Sequence, residues 1–415
     1  MSDKSNRAMK PGWCWVRFGD VVRQCKEKAD PETSGLERYI AGDHMDTDDL
    51  RLRRWGEIGS GYLGPAFHMR FKPGQILYGS RRTYLRKVAV ADFDGICANT
   101  TFVLESKDPN ELLPEYLPFL MKTDAFNEFS VKNSKGSVNP YINFSDLAKF
   151  EFALPPKQEQ IKLVELLSSS YSVFNAATSA IDAAWDALRS LLVETFSTGA
   201  DPLRNAVHTK WNCEPLNRFI TVKHGWAFKG DYFSEDASNG SQLLIPGNFT
   251  EFGRFDFSPA KNKYYTGDFP DDYRLVRGDL LLLMTDLTPS AKLLGAPGIV
   301  EGQTALLHNQ RLGKIVLNHL IGNNADAFKD YLHFFFMSEV FRRQVRAQSA
   351  GSTVSHTSPT QICRIAIPCP EESEIESILA PLRGARDALM ALKQRAASAS
   401  ELMSFLRQEV LERHP

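Results

Sequence analysis

The chain has 415 residues, 43% of them hydrophobic and 24% charged, with a formal net charge of −1. That length exceeds one ordinary core and predicts about two or three domains, and the composition excludes a disordered chain. No apolar run approaches the roughly 18 residues of a membrane helix; the strongest, Leu280–Met284 and Phe334–Met337, are strand-sized or helix-core fragments.

The first ten residues, MSDKSNRAMK, contain no apolar signal region, so the expected location is the cytoplasm. Six cysteines (Cys14, Cys25, Cys97, Cys213, Cys363 and Cys369) include no C-x-x-C pair, which argues against a metal site and for buried thiols around the apolar stretch between Cys363 and Cys369. The near-zero net charge hides local basic clusters: Arg51, Arg53 and Arg54; Arg81, Arg82, Arg86 and Lys87; Arg342, Arg343 and Arg346. Such a distribution suits a protein gripping DNA within a larger assembly, and it suits many enzymes equally well.

Along the chain, Phe71-Lys-Pro-Gly74-Gln-Ile-Leu77 predicts a glycine turn and an apolar strand, followed by a polar loop and a second strand at Asn99–Leu104. The loop between them, Gly79-Ser80-Arg81-Arg82-Thr83-Tyr84-Leu85-Arg86-Lys87, combines guanidinium forks, hydroxyls and an aromatic ring. Arginine pairs bidentately with guanine, whereas lysine and hydroxyls contact phosphate. Ser80, Arg81, Arg82, Tyr84, Arg86 and Lys87 are therefore candidate DNA contacts, with a solvated basic loop as the competing reading. A second candidate is Lys132–Asn139, where Gly136 lets backbone amides approach phosphate and Lys135, Ser137 and Asn139 are donors; an ordinary surface turn competes with it. Asn139-Pro140-Tyr141 resembles a fragment of a methyltransferase motif, but it lacks a second proline and a glycine-rich cofactor loop upstream, so it reads as the end of a recognition loop.

After Pro155-Pro156 a long helix is expected over 157–198. Leu167, Tyr171, Phe174, Thr178, Ile181, Trp185, Leu188 and Leu192 follow alternating steps of four and three, the seam of a coiled coil. The glycine and proline of Ser197–Pro202 supply a stop signal.

The chain then repeats itself. Leu275-Val-Arg-Gly278-Asp-Leu-Leu281 leads to Gln303–Leu307 as Phe71–Leu77 leads to Asn99–Leu104. Ser134-Lys-Gly136-Ser137, Leu147, Phe150, Phe152 and Pro155 answer Ser349-Ala-Gly351-Ser352, Ile362, Ile365, Ile367 and Pro370, each pair 215 residues apart. Within this second copy the candidate DNA contacts are Lys223, His224 and Trp226; Thr285, Thr288 and Lys292; and Ser349, Ser352 and His356, with a structural role as the competing reading for each. The helical-looking Arg342–Arg346 favours phosphate contact over base reading. A second long helix is expected over 371–415, with its seam running from Ile375, Ile378 and Leu382 to Leu406 and Val410. Pro381 and Gly384 predict a kink or break, with the continuous part beginning near Arg386.

The expected fold is therefore α+β: two mixed α/β domains (1–156 and 199–370) related by an internal repeat and joined by two long helices (157–198 and 371–415) packed as an antiparallel coiled coil. No phosphate-loop motif, H-E-x-x-H or paired histidine ligands appear.

This arrangement resembles the specificity subunit of type I restriction–modification systems, an HsdS-like chain, over essentially its whole length. The resemblance rests on Trp15-Val-Arg-Phe-Gly-Asp-Val-Val22 and above all on Phe152-Ala-Leu-Pro-Pro156-Lys-Gln-Glu-Gln160. Ile367–Glu374 is a degenerate second copy of the latter, and Leu216–Phe219 a faint echo of the former. It implies that the two mixed α/β domains are target recognition domains of a non-catalytic subunit that reads a split, asymmetric site in double-stranded DNA. It also implies docking of two modification (methyltransferase) subunits and of restriction subunits, with S-adenosylmethionine, ATP and magnesium used by those partners and no cofactor in this chain. Two other readings remain open: a coiled-coil adaptor of another defence complex, and an enzyme with an unfamiliar active site.

Overall fold

The computed structural model describes residues 10–61, 63–197, 211–236, 238, 240–288, 290–302, 306–318, 324–349 and 354–406. The expected helix stop at 198–202, the site candidate Ser352 and the tail 407–415 lie outside the described residues. The chain divides into two compact units, residues 1–178 with 393–415, and residues 179–392.

In chain order the first part contains β1 (Cys14–Arg17), α1 (Phe18–Val21), β2 (Val22–Cys25), β3 (Arg38–Ile40), β4 (Gly56–Glu57), β5 (Phe67–Phe71), β6 (Ile76–Gly79), β7 (Val88–Val90), β8 (Gly95–Ala98) and β9 (Thr101–Ser106). Then come α2 (Leu117–Met121), α3 (Asp124–Lys132), α4 (Phe144–Leu147), β10 (Glu151–Leu154) and the 40-residue α5 (Lys157–Phe196). Two four-stranded sheets form, in the orders β2-β9-β6-β7 and β4-β3-β8-β5. The strand β6 shows how the sequence builds them. Successive side chains of a strand point to opposite faces. Ile76 and Tyr78 enter one apolar cluster with the helices, while Leu77 enters another with Phe71, Ile40 and Val103. A strand buried on both faces needs a continuous apolar run, which is what the sequence supplies.

The second part contains β11 (Asn212–Pro215), β12 (Ile220–His224), β13 (Phe233–Ser234), β14 (Ser241–Leu244), β15 (Tyr264–Tyr265), β16 (Arg274–Leu275), β17 (Leu280–Leu283), β18 (Thr285–Asp286), β19 (Pro297–Ile299), β20 (Leu306–His308) and β21 (Leu312–Leu317). It closes with α6 (Ala325–Met337), α7 (Glu339–Ala347), β22 (Ser355–His356), α8 (Pro359–Cys363), β23 (Ala366–Cys369) and α9 (Ile375–Leu406). Its sheets run β12-β21-β17-β19 and β13-β15-β14-β20-β16. In β17, Leu280 and Leu282 enter one cluster and Leu281 and Leu283 another, as in β6. Before each of these strands a glycine turns with positive φ, +84° at Gly74 and +88° at Gly278, where a Cβ would be strained. Each donates its N–H at 2.8 Å, to Ala91 and Val300 respectively.

Both parts also begin and end alike. β1 pairs antiparallel with β10, placing Cys14 opposite Leu154, and β11 pairs with β23, placing Asn212 opposite Cys369. The Trp13 indole N–H donates to Glu159 at 2.9 Å, and that of Trp211 donates to Glu374 at 2.9 Å. These contacts explain the Pro-Pro…Glu-Gln signature physically. The prolines set the extended chain before the helix, and Glu159 anchors the strand end. The fully buried Gln160 accepts from Leu113 N at 2.9 Å and donates to the carbonyls of Glu111 (2.8 Å) and Pro155 (2.9 Å).

The seam residues of α5 divide between the units. Leu163, Leu167 and Tyr171 pack into the core of the first, while Ile181, Trp185, Leu188 and Leu192 pack into that of the second. In α9, Ile378, Leu382, Ala385 and Leu389 join the second core, and Leu406 packs on the first. One expectation fails here: α9 runs unbroken from Ile375 to Leu406 with Pro381 inside it. Proline forfeits one backbone bond, but Leu379 and Leu382 on either side are fully buried and hold the turn. Gly384 has open space around its Cβ position. The thiols of Cys363 and Cys369 are half-buried, less enclosed than expected.

Candidate nucleic-acid interface

In the first unit, β2, β9 and β6 end together at Cys25, Thr101 and Gly79, and the two candidate loops meet at this edge. Ser80 donates its N–H and its hydroxyl to the Thr100 carbonyl, at 3.0 and 2.7 Å. The Ser80 carbonyl accepts from Ile142 N at 3.0 Å, and Arg82 N donates to Pro140 O at 2.6 Å, so Arg81 stands opposite Tyr141. On the other side of Tyr141, Lys135 exchanges both backbone hydrogen bonds with it, at 2.7 and 2.9 Å. The Thr83 and Ser134 hydroxyls meet at 3.0 Å. Arg81, Arg82, Tyr84, Lys135, Ser137, Asn139 and Tyr141 are all exposed around this seam.

The turn that carries them is held by Arg86. Arg82 and Arg86 bracket a short turn at Thr83–Leu85, both left-handed, with φ of +49° and +51°. The Arg86 guanidinium donates to Asp124 (2.6 Å), Asp48 (3.2 Å) and the Lys122 carbonyl (2.6 Å). Burial opposes its charge, but the two carboxylates outweigh that and hold its pKa above the usual arginine value. Lys87 likewise donates to the Gly42 carbonyl. Lys135 pairs with Asp146 at 2.8 Å, which raises its pKa.

The second unit builds the same junction from different residues. β12 ends at His224 beside Gly313, and Leu283 ends β17 beside Leu312. Met284 O accepts from Thr357 N at 3.0 Å, and Thr285 stands opposite His356 in the β18–β22 pair. The Thr285 hydroxyl meets His356 Nδ1 at 3.0 Å. Buried Asp286 organises the loop, accepting from Thr288 N (2.8 Å), the Thr288 hydroxyl (2.7 Å) and Leu293 N (2.8 Å). At the same edge, Trp226 N donates to His308 O, and its half-exposed ring lies 5.3 Å from that of Tyr273. Gly225 admits the Asn309 carbonyl 2.1 Å from where a Cβ would stand, which explains the glycine there. Lys223 lies 4.9 Å above the Tyr273 ring and donates to Asp272 O at 3.3 Å, and His224 is exposed.

Several candidates turn inward. Ser80 (5% exposed) and Thr285 (7%) have hydroxyls occupied by neighbours within the protein. Arg86 and Lys87 brace the loop instead of extending from it, Lys292 is ion-paired with Glu251, and the Ser349 hydroxyl caps the Arg346 carbonyl at 2.7 Å. The phosphate role expected of Arg342 does not hold. Helical periodicity puts it on the face of Phe341 and Val345, 5% exposed, where it donates to the Lys292 carbonyl. Burial lowers its pKa, and Arg346 is paired with Glu339 at 2.5 Å. In the remaining cluster, Arg53 and Arg54 are paired with Asp49 and Asp46.

Tyr141, which the sequence placed only at the end of a recognition loop, is a candidate contact in its own right. The signal was present: the 215-residue register aligns it with His356. A separate cleft of about 1300 Å³ in the first unit contains Arg38 stacked 4.5 Å from Trp55. Its rim includes Asp30, Glu32, Glu37 and Glu57, carboxylates that repel phosphate. The loop seam is therefore the favoured nucleic-acid face. Among the described residues no helix is long and apolar enough to cross a membrane.

Residues 19–183 match the family of the type I restriction modification DNA specificity domain. The chain is 26% identical over 202 residues to the type I restriction enzyme EcoDI specificity subunit of Escherichia coli, covering 49% of this chain and 44% of that subunit. It is 22% identical over 314 residues to the MjaVIII specificity subunit of Methanocaldococcus jannaschii, covering 72% and 69%. The matched region thus spans less than half of the first of these relatives. Among solved structures, the type I restriction–modification S subunit from M. genitalium shares the fold at a TM-score of 0.59 and 14% identity, covering 98% of each chain. A chain from a structural study of complex assembly and conformational transition in a type I system follows at 0.54 and 18%, again covering 98% of each. Residues 19–183 thus match a type I restriction modification DNA specificity domain, and the chain is similar to HsdS-like specificity subunits.

Proposed function

We propose that this chain is the DNA-recognition subunit of a type I restriction–modification complex, each unit reading one half of a split, asymmetric double-stranded site. One observation carries the reading. Two like-ordered sheets each end in a seam of two loops distant in sequence, 79–87 with 134–142 and 284–292 with 354–357, and each seam exposes polar side chains. The cationic seam supplies phosphate affinity, and the divergence between seams makes the target asymmetric. The matching closures Trp13–Glu159 and Trp211–Glu374 support an internal repeat. That both helices lend seam residues to both cores, in opposite order along the chain, supports an antiparallel pair. At about 1.5 Å per residue, the 40-residue α5 is roughly 60 Å long.

On this reading the chain performs no chemistry itself, as is general for specificity subunits of type I systems. Two modification subunits would bring S-adenosylmethionine, and restriction subunits ATP and magnesium. The test is methylation mapping of genomic DNA from cells with and without the chain. A split, asymmetric motif that disappears on deletion is expected. An unchanged methylation pattern refutes the reading.

A further inference from the structure

We infer that Arg81 with Tyr141, and His356 held by the buried Thr285, occupy the equivalent base-reading positions of the two units, while the neighbouring cations only hold the backbone of the DNA. This rests on the DNA-recognition reading above and adds which residues discriminate. Backbone geometry makes the pairs equivalent. Ile142 N donates to Ser80 O and Thr357 N to Met284 O, both at 3.0 Å, so each pair sits one residue beyond the same bond. Bonds from Ile142 and Arg82 on either side of the Arg81–Tyr141 pair place it in the non-hydrogen-bonded register of an antiparallel ladder. In that register the α-carbons approach to about 4.5 Å and the two side chains leave the same face together.

The chemistry of the two pairs differs. Arg81 and Tyr141 are exposed, and no hydrogen bond or ion pair engages the Arg81 guanidinium among the described residues. A free fork fits the O6 and N7 of guanine, and its rigid mount fixes its approach. Lys135 flanks the pair, but its charge is already matched by Asp146, which suits a backbone contact more than base discrimination. In the second unit the Thr285 hydroxyl holds the exposed His356 by Nδ1, which fixes the ring and leaves Nε2 as its remaining polar atom. One ring nitrogen makes a single hydrogen bond where Arg81 can make two. The two half-sites should therefore differ at the equivalent base pair, with guanine required only in the half read by Arg81.

The experiment replaces the chromosomal allele by Arg81→Gln, Tyr141→Ala or His356→Ala and maps methylation genome-wide. Arg81→Gln is expected to lower the preference for guanine at one base pair of one half-site by roughly 5- to 150-fold, leaving the other half unchanged. Tyr141→Ala should relax the same half, and His356→Ala one position of the other half. If Arg81→Gln abolishes methylation, Arg81→Lys decides: it keeps the charge and loses the fork, so restored methylation with a relaxed position supports the inference. Methylation restored with an unaltered motif overturns it. Variants that methylate the parental motif unchanged, or that all relax one half, overturn the pairing but leave the DNA-recognition reading standing. A parental allele with no split motif overturns both.

Discussion

Replacing Arg86 by alanine isolates the clasp beneath the 79–87 loop. The guanidinium side chain is 20% exposed and donates to two carboxylates and one carbonyl. Asp124 is 63% exposed and rehydrates readily, so that contact contributes at most about 1 kcal/mol. Asp48, 40% exposed, contributes about the same. The charge-assisted bond to the Lys122 carbonyl adds roughly 1.5 kcal/mol. The expected loss is therefore about 2–3 kcal/mol, or roughly 4–12 °C in the transition of a unit of some 200 residues. Arg86→Gly loses the same contacts but relieves the left-handed backbone at φ +51°, worth about 0.5–1 kcal/mol, and should be the milder variant. Calorimetry and urea titration of the full chain give both numbers. A loss below about 0.5 kcal/mol for Arg86→Ala, or a glycine variant less stable than the alanine one, would falsify the clasp.

The remaining predictions concern the second unit and the strand closures. His333 and His308 are held neutral by burial, each with a pKa pushed down to about 4, and their Nε2 atoms bond Gly253 O (2.8 Å) and Leu312 O (2.9 Å). Their folded pKa lies below the unfolded value, so the stability they carry is complete above about pH 6.5 and declines as pH falls toward 4. The slope is on the order of 1.4 kcal/mol per pH unit for each. His333→Gln should flatten the urea midpoint between pH 6.5 and 4.5, and an unaltered slope refutes the assignment. Asp286→Ala frees three donors of the 284–293 loop and should weaken reading of one half-site at least tenfold in a DNA competition assay; equal weakening at both half-sites counts against separate reading units. Trp13→Phe and Trp211→Phe each remove one indole bond to a carboxylate and should each lower stability by about 1 kcal/mol in urea; no change in either shows that the glutamates do not anchor the strand ends.

The long helices and the buried strands were legible because they rest on periodicity. Leu280–Leu283 reads as a strand buried on both faces even where the surrounding loops share nothing with Ile76–Gly79. The meeting of the 79–87 and 134–142 loops was not legible, since the pairing is carried by backbone groups that every sequence possesses. Side-chain direction was the weakest inference. Ser80 and Arg81 are adjacent, yet one faces the Thr100 carbonyl and the other solvent, because successive residues in extended chain alternate. A basic residue type said nothing of this either: Arg86 and Arg342 carry full charges and both serve to hold carbonyls. Pro381 misled for another reason, since propensity is a local quantity and the buried leucines beside it are a tertiary one.

The first unit is discontinuous in sequence, taking Lys393 onward from the far end of the chain, with Leu406 resting on its core. Synthesis therefore finishes the second unit before it delivers the last piece of the first. A nascent chain must carry an unfinished, partly uncovered apolar face through the making of more than 200 further residues. Premature termination anywhere in α9 would damage the domain made earliest, the one farthest in sequence from the lesion.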